Sequence, residues 1–73
     1  MSKKSRDIEK RYPRNQFIAK LRRLADALED DKQFTIQVAG ERIRIPRAAV
    51  INIEHERSGK NEELEFQVKW RNE

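Results

Sequence analysis

Cysteine is missing from the 73 residues of this chain. That one absence removes a disulfide framework, a thiolate metal site and a thiol nucleophile. Small secreted domains usually lean on disulfides, so a cysteine-free chain of this size is expected in a reducing compartment, most simply the cytoplasm. Long apolar runs are missing too. The longest, Ala48-Ala49-Val50-Ile51, has four residues, far short of a secretory hydrophobic segment or a membrane span. There is one histidine and there are two glycines. A lone histidine needs carboxylate partners to hold a metal, and two isolated glycines make no Gly-rich phosphate cradle.

Charge is plentiful, at 41% of residues, with a net +4. It is unevenly placed. Up to residue 14 there are six cations (Lys3, Lys4, Arg6, Lys10, Arg11 and Arg14) against Asp7 and Glu9; beyond it, eleven cations meet eleven anions. The pattern is a neutral, heavily charged body with a basic N-terminal arm. The length allows one domain with a marginal core. The expected division is a disordered basic tail over residues 1–5, with nothing to bury, and a single domain over residues 6–73.

The clearest element comes near the end. Leu64, Phe66, Val68 and Trp70 alternate with Glu65, Gln67 and Lys69, the two-residue period of a strand with one apolar face. A helix is expected from about Arg14 to Glu29. Phe17, Ile18, Leu21, Leu24, Ala25 and Leu28 form one stripe at the 3.6-residue period, and Pro13 suits a helix start. Between these elements, Phe34, Ile36 and Val38 alternate, Ala39-Gly40-Glu41 reads as a turn, and Ile43 and Ile45 alternate up to Pro46. Ala49, Ile51, Ile53 and His55 then share one face of a further strand, which a loop at Ser58-Gly59-Lys60-Asn61 joins to the last. Short loops imply antiparallel pairing. The expectation is an α+β fold, with one amphipathic helix packed on a four-stranded antiparallel meander. The stretch from Arg6 to Tyr12, biased to extended dihedrals by Pro13, is a possible extra edge strand.

The helix segment Leu21-Arg22-Arg23-Leu24-Ala25-Asp26-Ala27-Leu28-Glu29 and the closing Leu64-Glu65-Phe66-Gln67-Val68-Lys69-Trp70 together resemble the amphi-Trp domain family. These are small bacterial and archaeal proteins named for an amphipathic last strand ending in Trp. The resemblance spans about Ile8 to Trp70; the basic N-terminus is a departure from it. It implies the fold above and brings no activity, cofactor or site residue with it.

Candidate chemistry is sparse. Ser58-Gly59-Lys60 lacks the remainder of a phosphate loop, because Glu54 and Asn61 stand where Gly and Ser or Thr are required; a hairpin loop accounts for it. His55 faces away from Glu54 and Glu56 along its strand. The acids at 54, 56, 62, 63 and 65 are expected to pair across strands with Arg42, Arg44, Lys69 and Arg71 rather than to form a carboxylate dyad. No catalytic, cofactor-binding or metal-binding residue is assigned, and no cofactor is expected. By its phase Trp70 belongs with the core residues; the competing role is an aromatic platform for a base or peptide. The surface with a functional reading is the arm, where Lys3, Lys4, Arg6, Lys10, Arg11 and Arg14 could follow a polyanion, extended by Lys20, Arg22 and Arg23. No nucleic-acid-binding motif accompanies it. The expected function is a small non-catalytic binding or interaction module, self-associating by a strand edge or taking a protein partner. Sequence-independent nucleic-acid binding through the arm is the alternative.

Overall fold

A computed structural model of the chain describes residues 9–72. The expected tail and residues 6–8 of the possible edge strand lie outside the described residues. The first element is helix α1, Arg14–Glu29, where the apolar period places it. Pro13 sits at the N-cap with φ −56° and ψ 148°, and no side chain caps this end. The first helical bond runs from the Phe17 amide to the Pro13 carbonyl at 3.0 Å. At the other end Asp31 turns to φ 54°. The Asp31 amide then donates to Leu28 O and the Lys32 amide to Ala27 O. This is the Schellman arrangement, which satisfies carbonyls the helix leaves open. Arg47 approaches Asp31 at 3.7 Å, giving a cation to an end crowded with Glu29, Asp30 and Asp31.

Two hairpins follow. Strands β1 (Phe34–Val38) and β2 (Glu41–Ile45) pair antiparallel. Their two-residue loop has Ala39 at φ 52° and Gly40 at φ 81°, the type I′ pattern whose twist matches that of the strands. Strands β3 (Val50–Ser58) and β4 (Asn61–Lys69) pair through Gly59-Lys60. Here only Gly59 takes positive φ, at 61°, as the first central residue of a type II′ loop does. This hairpin is longer than the apolar alternation indicated, because polar pairs such as Arg57↔Glu62 continue the ladder to the loop.

The class is α+β with four antiparallel strands, as expected. The strands form two separate two-stranded sheets, β1-β2 and β3-β4, in place of one continuous meander. The cause is local to the link between β2 and β3. Pro46 has no amide to give a ladder, and the Ala49 amide bonds back to Pro46 O at 3.2 Å. The link closes into a turn of its own, and β3 leaves it paired with β4 alone.

Residues 9–13 form no strand. The outer edge of β1 is closed by side chains instead. Arg23 Nη2 donates to Thr35 O at 3.0 Å, Lys20 Nζ donates to Gln37 O at 3.1 Å, and the Tyr12 hydroxyl donates to Gln37 O while accepting from the Ala39 amide, both at 3.3 Å. These bonds take the outward carbonyls of Thr35 and Gln37 and so blunt this edge towards another chain.

The packed centre is small. Among the described residues Phe34, 7% exposed, is the one buried hydrophobic side chain. It lines a crevice with Leu24, Ala27, Leu28, Ile45, Pro46 and Ala49, and the Arg23 guanidinium lies 5.4 Å from its ring centroid. The helix stripe is thus shared between the first hairpin and open solvent. Among the described residues, no helix is long and apolar enough to cross a membrane.

Candidate interaction surface

The register of β3 and β4 sorts their side chains onto two unlike faces. Ile51↔Val68, Ile53↔Phe66 and His55↔Leu64 put the apolar residues together, because cross-strand partners share a face. That face remains open: Ile53 is 63% exposed, Leu64 62% and Phe66 60%. A single-sided sheet buries this face against a second layer. Here the helix contributes only a border. Leu24 and Leu28 line an apolar cleft of about 430 Å³ with Ile51, Ile53, Phe66 and Val68. At the loop end of the same face the charges are settled locally: Glu62 Oε1 takes Arg57 Nη2 at 3.1 Å and lies 2.9 Å from His55 Nε2.

The opposite face is acidic. Glu54 stands directly across from Glu65, and Glu56 from Glu63. Like charges placed opposite each other oppose pairing. Gln67 relieves part of this, its Nε2 donating to Glu54 Oε2 at 2.7 Å and to Glu65 Oε2 at 3.2 Å, while its carbonyl accepts from Asn52. Glu63 carries the consequence. Its carboxyl is held above the usual range, chiefly by the charge of Glu65, then by lost hydration, with Glu56, Glu9 and Glu54 adding to it. Carboxylate oxygens of Glu56, Glu63 and Glu65 lie within 4.8 Å of one another, a hard-oxygen set of the kind a divalent cation accepts. All three belong to one hairpin, Glu56 and Glu63 exposed and Glu65 part-buried, with no ring nitrogen or sulfur among them.

The expected cross-strand pairing of these acids with Arg42 and Arg44 is therefore corrected. Arg42 and Arg44 belong to the other hairpin, opposite Gln37 and Thr35, and cannot reach the acidic face of β3-β4 as ladder partners. The signal for the Glu–Glu oppositions was present in the sequence: a two-residue loop at Gly59-Lys60 fixes the register of every pair above it.

The basic residues gather elsewhere. Of the six arm cations, Lys3, Lys4 and Arg6 lie outside the described residues; Arg11 and Arg14 are exposed. Lys10 lies 4.9 Å from the Tyr12 ring centroid, and Lys20 approaches the same ring at 5.1 Å. Lys20, Arg23 and Arg42 line an open groove of about 380 Å³ along β1. The arm thus continues onto a basic strip, with Tyr12 at the junction.

Trp70 falls one residue past β4. It is half-buried and lines an open hollow with Gln33, Arg44, Pro46, Ala48 and Val50. Its indole N–H donates to Asn72 Oδ1 at 3.1 Å. The residue lies against the link between the hairpins.

No curated protein and no solved structure matches this chain. A family model does, over residues 1–73. The match takes in the amphipathic helix at 14–29, the amphipathic last strand and Trp70 directly after it. On these grounds the chain belongs to the Amphi-Trp domain family.

Proposed function

We propose that this chain is a small non-catalytic interaction module of the cytoplasm, and that the apolar face of β3-β4 is its docking surface. The observation behind the reading is the exposure of Ile53, Leu64 and Phe66 beside an apolar cleft. Contiguous apolar surface of this kind marks interaction sites. Among the described residues β3 and β4 pair with no strand but each other, which allows strand addition as a complement. A photo-crosslinking residue placed at position 53, with a control at position 54 on the opposite face, tests the reading in the cells that make the protein. The expected result is a discrete adduct from position 53 and none from position 54. No adduct from position 53 removes the docking surface.

A second reading, sequence-independent binding of nucleic acid through the arm, is supported by one observation: Lys10, Tyr12, Lys20, Arg23 and Arg42 continue the arm's charge along β1. Five arm cations on phosphates would give a log–log salt slope of roughly −4 to −5 for duplex DNA. Deleting residues 1–11 brings that slope close to that of the body alone. An intact protein that binds no DNA at low salt makes the arm a solubility segment.

A further inference from the structure

We infer that the occupant of the β3-β4 face is a second copy of this chain, the two hairpins packed face to face about a two-fold axis; this rests on the docking reading above and names its partner.

The first support is area. The accessible surface is 7317 Å² for 8.8 kDa. A compact monomer of that mass exposes roughly 4,800 Å². The excess, roughly 2,500 Å², is more than any eight-residue stretch adds, since even a fully extended one exposes roughly 1,400 Å². A standard interface takes about 800 Å² from each partner, so one copy of the chain has enough surplus surface to build half of one.

The second support is charge. The charged groups on the apolar face are one cation and one anion at its loop end, Arg57 and Glu62, already in contact at 3.1 Å. Two such faces meet without repulsion. The reverse face would bring four carboxylates of one copy against four of the other, so it stays in water and fixes which side is inward.

The third support is symmetry. A two-fold contact needs a single self-complementary patch. Strand alternation builds one, with Ile51 and Ile53 from one strand and Leu64, Phe66 and Val68 from the other. A second copy is also available in equal amount to every chain that needs the cover. Edge-to-edge association through β1 is hindered by Tyr12, Lys20 and Arg23, which occupy the outward carbonyls of Thr35 and Gln37.

Sedimentation equilibrium of the full chain over the micromolar range tests this. The expected species has twice the 8.8 kDa mass, and association holds or tightens at high salt, as apolar burial does. Phe66→Asp and Ile53→Lys weaken association by roughly a hundredfold or more, because each buries a charge without a partner. Their far-UV circular dichroism stays that of the parent, since both side chains are exposed within one copy. Glu54→Gln, on the acidic face, remains dimeric. If either variant loses its fold, the other decides; if both do, the mass of the position-53 adduct decides, with two chain masses in support. A parent that stays monomeric throughout overturns the inference, as does a dimer that both variants leave intact. A monomer whose position 53 captures a different protein overturns the second copy alone and leaves the docking reading standing. A monomer with no adduct removes both.

Discussion

Tyr12 closes a strand edge with one hydroxyl. It donates to Gln37 O, accepts from the Ala39 amide, and holds Lys10 and Lys20 over its ring. Tyr12→Phe keeps the ring and removes both hydrogen bonds, leaving an amide and part of a carbonyl at β1 to water. The expected loss is about 1 kcal/mol, since a net intramolecular hydrogen bond is worth about 0.5–1.5 kcal/mol and both groups can reach solvent. Amide exchange is the sharper readout: the Ala39 N–H exchanges faster in the variant, and unchanged protection there would remove the edge-closing role. Little of this was legible in the sequence. Pro13 biases Tyr12 towards extended dihedrals, but no strand forms there, and the partners of Tyr12 lie 25 and 27 residues away. A side chain standing in for a strand leaves no period to read. His55 is the contrary case. Its face followed directly from alternation, and Glu62, its partner at 2.9 Å, lies on the same face through the register that the Gly59-Lys60 loop sets.

At the scale of elements, legibility follows the range of the determining interactions. The helix at Arg14–Glu29 is written in a stripe of nearest neighbours at i, i+4 and i+7, and its ends follow from Pro13 and the acids after Leu28. The turn at Gly40 is equally local. The join between hairpins is a different matter. Alternation says that a strand has an apolar face; it does not say which edges meet, and the Pro46 turn decides against a β2-β3 ladder. The second hairpin also carries a pH dependence that its register creates. The Glu63 carboxyl is raised, chiefly by Glu65. An acid whose folded pKa lies above its unfolded one binds more protons when folded. Its contribution to stability therefore falls as pH rises through the folded pKa, and recovers as pH drops back through it. The melting temperature is accordingly expected to rise as pH falls from neutrality into the carboxylate range. Glu63→Gln should raise the neutral-pH melting temperature and flatten that slope. A parent and variant with parallel pH profiles would mean that the Glu–Glu oppositions carry no strain.

Across the whole molecule, the apolar residues were identified correctly and their cover was not. Leu64, Phe66 and Val68 do share a face with Ile51 and Ile53. The expectation that α1 lies over that face assumed one four-stranded sheet, and with two sheets the helix packs Phe34 and only borders the rest. The same residues thus read as core in the sequence and as surface in the folded chain, and that discrepancy is what points to a partner. It can be measured directly because the chain has no cysteine. Ile53→Cys and Glu54→Cys each introduce one thiol, on opposite faces of the same strand. Both are open in a single copy of the chain. On the proposal above, the apolar face is occupied in solution. This occupancy predicts that a maleimide labels position 53 much more slowly than position 54 in concentrated solution, and that dilution removes the difference. Equal, fast labelling at both positions at every concentration would contradict it.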